Sequence, residues 1–200
     1  MKNIITISRE FGSGGRSIGK MVAQKLGYSF YDRALVNEVA ARSGFSPEFI
    51  EESGEYANAR NSLLFALATA NQYSVNGVSM QDKLYLEQTK IIKEVAEKGK
   101  CVIVGRCADY ILRDRPDCLH VFICSDMDSR AKRIVERYGE QDRSPEKRLK
   151  DKDQKRQVYY KNYTGRAWGD VKNYGICLNS GILGIDTCVD LIVQAAADNN

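Results

Sequence analysis

The sequence predicts a doubly wound α/β fold, in which helices cover both faces of a parallel β-sheet. The strand candidates are short continuous apolar runs, which is the pattern of strands buried on both faces of a parallel sheet. Helical patterns, with apolar residues at spacings of three and four, separate these runs, and such alternation is typical of α/β folds. The chain has 200 residues, of which 43% are hydrophobic and 28% charged, and this fits one globular domain.

Five strands are predicted from β-branched and apolar runs. They lie at 4–7, 29–31, 101–104, 119–123 and 176–178. Between the second and third strands the pattern is helical only, with helices predicted at 32–43, 46–55, 60–72 and 80–98. Ser46 before Pro47 is a typical helix start, with serine as the N-cap and proline at the first helical position. Two apolar stripes, at 131, 134, 135 and 138 and at 185, 189, 192 and 196, predict helices after the fourth and fifth strands.

The first strand runs into a glycine cluster, Gly12-Ser13-Gly14-Gly15, which we name the glycine loop. Arg16, Ser17 and a helical pattern follow it directly. A strand, a glycine-rich loop and a helix in this order can bind phosphate, because the backbone N–H groups and the helix N-terminus face the anion. The candidate phosphate ligands are Gly12, Ser13, Gly14, Gly15, Arg16 and Ser17. A glycine-rich turn that holds no ligand is the alternative.

The register of this loop decides which side chains meet the phosphates. The pattern G-x-x-x-x-G-K of phosphate-binding P-loops matches literally from Gly14 to Lys20, but it places Lys20 a full turn inside the helix. We prefer the register in which Arg16 stands at the place of the lysine. Ser17 then stands at the Ser/Thr that contacts Mg²⁺, and Glu10 replaces the first glycine.

Positive charge is concentrated late in the chain. The net charge is +4, yet the segment from Arg143 to Arg166, named here the cationic segment, holds nine Lys/Arg against three acidic residues. A cationic helix on a near-neutral body indicates a polyanionic ligand. Lys152, Lys155, Arg156 and Tyr159 lie on adjacent turns of this helix and form a candidate lid. A solvated charged surface is the alternative.

Other function classes are disfavoured. No secretory signal and no apolar run of about 20 residues is present, so we expect a cytoplasmic protein with no membrane partner. The six cysteines form no C-x-x-C pair and there is one histidine, His120, inside an apolar run. We therefore expect reduced thiols and no zinc site, and we assign His120 a structural role.

Four segments together resemble the cytidylate kinase-like family of P-loop proteins. They are residues 5–16, residues 30–32, residues 101–109 and residues 153–160. The resemblance implies a three-layer P-loop NTPase fold with ATP and Mg²⁺ as cofactors and a nucleoside monophosphate such as CMP or dCMP as acceptor. It implies a single domain in which a core (1–31, 100–142 and 172–200) carries an acceptor-binding helical insert (32–99) and a lid (143–171). Nucleic acid is not expected as a partner.

Candidate acceptor residues follow the strands of the predicted sheet. Arg106 comes after the third strand, where ligands bind in doubly wound sheets, and can hold an acceptor phosphate with two hydrogen bonds. A structural salt bridge to Asp109 or Asp32 is the alternative. Asp32 follows the second strand and either binds the acceptor or Mg²⁺ or caps the next helix. Arg9 is either a loop scaffold or an acceptor contact. Arg16, Arg106, Lys155 and Arg156 are the predicted catalytic residues.

The chain departs from the family pattern at three positions, one of which is Gly175, where the family often has an aspartate. Val104 and Cys107 stand where cytidylate kinases carry aspartates, and Asp109 is the candidate substitute. Gln88 is a further candidate for contact with the acceptor base. Two other functions stay open: a P-loop kinase for another small metabolite, and a nucleotide-binding regulatory protein with little turnover.

Overall fold

A computed structural model describes residues 1–32, 35, 38, 39, 41, 42, 44–53, 55 and 79–197. Five parallel strands form one sheet in the order β2-β3-β1-β4-β5. The strands are β1 (Ile4–Arg9), β2 (Ser29–Tyr31), β3 (Cys101–Val104), β4 (Cys118–Cys124) and β5 (Ile176–Asn179). All five predicted strands are present, and the predicted α/β fold is confirmed.

Helices connect the strands and cover the sheet. They are α1 (Gly15–Leu26), α2 (Pro47–Ser53), α3 (Met80–Lys98), α4 (Ala108–Ile111), α5 (Met127–Tyr138), α6 (Pro145–Thr164), α7 (Ser180–Leu183) and α8 (Ile185–Ala197), with a 3₁₀ turn at Val171–Asn173. Ser46 accepts a hydrogen bond on Oγ from the Phe49 N–H at 3.2 Å, as predicted for the start of α2. Ser79 Oγ accepts in the same way from Asp82 N–H at 3.1 Å at the start of α3.

The helices predicted at 46–55 and 80–98 are therefore confirmed as α2 and α3. Positions 35, 38, 39, 41 and 42, within the helix predicted at 32–43, are helical. The helix predicted at 60–72 lies outside the described residues. Among the helices that the structure describes, none combines the length and the apolarity needed to cross a bilayer.

Each face of the sheet has its own apolar core. On one face, Ile5 and Ile7 of β1 pack with α1 and with Val189 and Ile192 of α8. On the other face, Ile4 and Ile103 pack with α3. The central strands are buried on both faces, as the apolar runs predict. β5 is different, because it lies at the edge of the sheet and its Cys177 is exposed.

The sheet positions the site because parallel strands end at the same edge. The register of β1 with β4 extends to Arg9 and Ile123, and that of β1 with β3 to Ile7 and Val104. The loops that follow these strands therefore meet beside the glycine loop. His120 lies within β4, where Nδ1 is 2.8 Å from Thr6 Oγ1 and burial lowers its pKa. This agrees with the structural role expected for it.

Candidate active site

The glycine loop folds tightly between β1 and α1. Gly12 and Gly14 have φ angles of +80° and +81°, in the left-handed region that favours glycine. A Cβ on Gly15 would lie 2.6 Å from the Cβ of Arg9, so the backbone passes directly over that side chain. Gly14 caps α1, and the first N–H groups of a helix have no partner within it. The loop therefore presents backbone donors and a positive helix end to an anion.

Side chains from later in the chain hold this loop. Glu10 Oε2 accepts from the Ser125 N–H at 3.0 Å and lies 3.2 Å from Nη1 of Arg130. Asp153 Oδ1 accepts from the Phe11 N–H at 2.7 Å. Glu10 stands at the place of the first P-loop glycine, and its carboxylate ties the loop to the end of β4.

Arg16 begins α1 beside the loop and lines the cleft next to it. Its guanidinium forms an ion pair with Asp32, which follows β2. Ser17 Oγ accepts a hydrogen bond from Nη1 of Arg137 at 3.1 Å. Lys20 is exposed on the body of α1 and is absent from the lining formed by the described residues. The geometry thus brings Arg16 to the cleft, as the preferred register predicts.

A second group of cations lies at the other end of the cleft. We name Arg9, Arg106 and Arg156 the arginine cluster. Arg9 donates to Glu55 with both terminal nitrogens, with Nη2 to Oε2 at 2.9 Å. Arg156 Nη2 is 3.7 Å from Glu55 Oε2, and its Nη1 donates to the Arg9 carbonyl at 3.2 Å. The carboxylate of Glu55 therefore lies among the arginines.

Arg106 reaches this cluster from an unusual backbone position. Arg106 and Cys107 have φ angles of +60° and +54°, which non-glycine residues adopt rarely. Arg106 Nη1 donates to the Ile50 carbonyl at 2.9 Å and to Gln88 Oε1 at 3.3 Å. The side chain is buried, and its contacts with the Ile50 carbonyl of α2 and with Gln88 of α3 fix its orientation. Strained backbone of this kind is found most often at functional sites.

One cleft of about 560 Å³ joins the glycine loop to the arginine cluster. Among the described residues, its charged lining consists of seven cations, Arg9, Arg16, Arg106, Arg133, Arg137, Lys152 and Arg156, and three carboxylates, Glu10, Asp32 and Glu55. The balance of seven against three gives the lining a formal charge of +4. A concave site with this charge attracts polyanions.

Two of these cations were not among the predicted site residues. Arg133 Nη1 donates to the Gly12 carbonyl at 2.7 Å, and Arg137 contacts Ser17. With Arg130 they occupy positions 130, 133 and 137, which form one face of α5. The spacings of three and four between these arginines are visible in the sequence and could have identified the face.

Other predicted site residues lie elsewhere. Among the described residues, Lys155 and Asp109 do not contribute to the lining of the cleft. Asp109 is buried, where it accepts from Tyr160 OH at 2.6 Å and from Ser8 Oγ at 3.2 Å, and burial raises its pKa. Arg156 lines the cleft but is only 6% exposed, whereas the charge pattern favours an exposed lid cation. Tyr159 and Tyr160 bury α6 against the core beside Cys107.

The residues present fit a magnesium ion bound together with a nucleotide. Ser17, which accepts from Arg137, and Asp32, which pairs with Arg16, bring side-chain oxygens to the start of α1. The described part of the chain contains no group of three or more His, Cys, Asp or Glu side chains arranged to hold a metal on their own. Mg²⁺ sites in kinases need few protein ligands, because substrate phosphates and waters complete the octahedron.

The parallel sheet, the glycine loop at the start of α1 and the cationic cleft at the strand ends define a P-loop kinase. Solved structures share the fold. The shikimate kinase of Bacteroides thetaiotaomicron superposes with a TM-score of 0.56 at 18% identity, covering 96% of this chain and 97% of that one. An uncharacterized protein from Eubacterium ventriosum superposes with a TM-score of 0.73 at 30% identity, covering 98% and 99%.

The chain belongs to the cytidylate kinase-like family, whose sequence pattern matches residues 4–182. It is 31% identical over 198 residues to a cytidylate kinase of Archaeoglobus fulgidus, covering 96% of this chain and 93% of that protein. Family membership agrees with the resemblance carried by the motifs of the sequence. Kinases of this family use ATP and Mg²⁺ in general.

Proposed function

We propose that this protein transfers a phosphoryl group from ATP to a nucleoside monophosphate, with CMP and dCMP as the first candidates. The observation that carries the proposal is the single continuous cleft, which has the glycine loop at one end and the arginine cluster at the other. Phosphoryl transfer requires mainly that two phosphates be positioned and their charge neutralised. A cleft with cations at both ends is suited to both tasks.

The glycine loop is the proposed ATP site. Gly14 caps the N-terminus of α1 at this loop, where the first backbone N–H groups of the helix can meet the phosphates. Arg16, released from Asp32, supplies the charge that lysine supplies in other P-loops. Arg133 and Arg137 flank the loop from α5 and add two further cations.

The arginine cluster is the proposed acceptor site. Arg9 is the last residue of β1, Arg106 follows β3, and Arg156 reaches them from α6. A nucleotide phosphate is already anionic at pH 7, so no catalytic base is needed to activate it. Lys152 lines the cleft from the same face of α6 and is the lid cation best placed to stabilise charge that develops during transfer.

Ser17 and Asp32 are the residues that would hold Mg²⁺, and the ion would supply positive charge that offsets the charge of the phosphates. In this arrangement the ion pair between Asp32 and Arg16 must break before Arg16 can bind a phosphate or Asp32 can bind Mg²⁺ or the acceptor. The open state leaves Arg16 for the phosphates and Asp32 for the cation or the acceptor.

A second candidate is a kinase of the same fold that acts on another small metabolite. Val104 and Cys107 favour it, because both are buried apolar side chains at places where cytidylate kinases carry aspartates. A coupled assay with ATP and a panel of CMP, dCMP, UMP, AMP and non-nucleotide alcohols separates the candidates. Turnover with CMP or dCMP supports the proposal, and turnover only with an alcohol supports the second candidate.

Binding of ATP is tested separately from turnover. Mg-ATP should raise the melting temperature, because a ligand that binds only the folded state stabilises it by mass action. A protein that binds ATP in calorimetry and phosphorylates none of the panel would be the regulatory protein left open above. A protein that shows neither a shift nor binding heat at millimolar Mg-ATP would contradict the proposed function altogether.

A further inference from the structure

The arginine cluster already contains an anion, which is a carboxylate of the chain itself. Glu55 has a side chain only 10% exposed, and both of its oxygens are bound by the two terminal nitrogens of Arg9. Arg156 approaches the same carboxylate at 3.7 Å. A guanidinium that holds two oxygens in this way is also the geometry with which arginine binds phosphate.

The carboxylate of Glu55 lies at the end of the third strand, β3. A Cβ on Gly105 would collide with Oε1 of Glu55 and with Nη1 of Arg9, so the carboxylate lies directly on the backbone that follows β3. Burial alone would raise the pKa of Glu55, but the charges of Arg9, Arg156 and Arg106 outweigh it and lower the pKa to about 2. Glu55 is therefore an anion at neutral pH, placed where ligands of doubly wound sheets bind.

The charges of the cluster are only partly balanced by this residue. Three guanidinium groups carry +3, and Glu55 supplies a single negative charge. Asp153 lies 3.8 Å from Arg156, but its oxygens also accept hydrogen bonds from Arg130 and from the Phe11 N–H. A phosphate monoester carries nearly two negative charges at pH 7 and three acceptor oxygens. It therefore matches the cluster better than the carboxylate does.

We propose that Glu55 is an internal occupant of the anion site formed by Arg9, Arg106 and Arg156, and that a phosphate monoester binds there by displacing it. The inference rests on the proposed function in taking the acceptor to be a phosphate ester. It gives Glu55 a part in acceptor selection. A neutral alcohol cannot replace Glu55, because it brings no negative charge to offset the loss of the Glu55 carboxylate from these buried arginines.

The alternative role for Glu55 is a permanent counter-ion that stabilises the fold while ligands bind elsewhere. The two roles differ in what removal of the charge does to anion binding. If Glu55 competes with phosphate, the apparent dissociation constant equals the intrinsic constant divided by the fraction of molecules in which the site is open. If it is only a counter-ion, its removal lowers stability and leaves the dissociation constant for phosphate as it was.

The test is a calorimetric titration of inorganic phosphate into the full chain, as wild type, Glu55→Gln and Glu97→Gln. Glu97 is the matched control, because it forms an exposed ion pair with Arg115 away from the cleft. We expect Glu55→Gln to bind phosphate at least tenfold more tightly, which corresponds to a site that is open in at most about one wild-type molecule in ten. Phosphate held by the glycine loop contributes equally to all three proteins and cancels from the comparison.

Glu55→Asp provides a second variant that keeps the charge if the glutamine variant does not fold. The side chain is shorter by one methylene, so its hold on Arg9 weakens and phosphate should bind at least threefold more tightly than to wild type. Phosphate affinities equal to that of wild type in the folded variants would overturn the inference, even if the protein phosphorylates CMP. A protein that fails to phosphorylate CMP, but whose Glu55 variants bind phosphate more tightly, would overturn only the proposed acceptor.

Discussion

Nη1 of Arg130 donates to Oδ2 of Asp153 at 2.6 Å, and this ion pair is buried between α5 and α6. The other oxygen of the same carboxylate accepts from the Phe11 N–H beside the glycine loop. One aspartate of the cationic segment therefore joins the loop, α5 and α6. The position of α6 relative to the phosphate site depends on this contact.

Replacement of Asp153 should destabilise the protein strongly. Asp153→Ala removes the nearer carboxylate of Arg130, which keeps Glu10 at 3.2 Å, and it also removes the acceptor of the Phe11 N–H. Together these losses should cost about 3 kcal/mol. Urea denaturation measures the loss. Asp151→Ala is the control on the same helix, because Asp151 pairs with Arg143 on the surface, where ion pairs contribute little. Equal losses in the two variants would show that the buried pair does not stabilise α6.

Arg16 and Lys20 distinguish the two registers of the glycine loop. Arg16→Ala should lower kcat/KM by about a hundredfold, because it removes a positioned charge beside the proposed phosphate site. Lys20→Ala should leave kcat/KM nearly unchanged, since Lys20 is exposed on the body of α1. Both constants come from the coupled assay with the acceptor that the panel identifies. A larger effect at Lys20 than at Arg16 would favour the literal motif.

The lid role of the cationic segment is tested best at Lys152. This residue lines the cleft, whereas Lys150 on the same helix is exposed outside the described lining. Lys152→Ala should lower kcat by about tenfold with a modest change in the affinity for ATP, because a closing cation acts mainly on the transition state. Lys150→Ala should keep full turnover. Full turnover in both variants would show that the cationic segment is a solvated surface and not a lid.

Arg156 is unsuited to that test, although it was predicted as a lid residue. It is buried against Glu55 and Asp153, so its removal would disturb the fold together with any catalytic contact. Lys155, the other predicted catalytic residue of α6, stays a prediction. Its contribution can be measured beside Lys152 in the same assay.

Glu55 predicts a pH dependence of stability. Its pKa falls from 4.5 to about 2 on folding, so the group stabilises the protein above pH 4.5 and this contribution disappears as the pH falls toward 2. The free energies of unfolding of wild type and Glu55→Gln should therefore differ by about 3 kcal/mol near pH 6 and converge near pH 2. Urea denaturation at both pH values measures this. A constant difference would contradict the assigned charge state.

Local sequence signals were sufficient to predict most of the fold. β-branched runs such as Cys101–Val104 predict strands correctly because the central strands of a parallel sheet are buried on both faces. The start of α2 follows from Ser46 and Pro47 alone. The edge position of β5, and with it the exposure of Cys177, is a property of strand order that no single segment encodes.

The site was predictable where it is continuous in sequence and unpredictable where it is assembled by tertiary contacts. Gly12 to Arg16 form one loop, and their spacing reveals it. Glu55 contacts Arg9 and Arg156, which are 46 and 101 positions away, and no pattern marks it. The arginines of α5 form a regular stripe, but only the packing of α5 beside the glycine loop brings Arg133 to Gly12. The charge of Arg156 predicts an exposed residue, but its contacts with Glu55 and Asp153 hold it in the interior.

Gly19 lets α1 approach the sheet so closely that a Cβ at this position would lie 3.1 Å from both Ile7 Cδ1 and Val104 Cγ2. An aspartate at position 104, as in cytidylate kinases, would be forced under the helix into an apolar environment with no room to turn. Such burial costs several kcal/mol. A Val104→Asp substitution is therefore tolerated only together with coupled changes in α1 and β3 that make space beneath the helix.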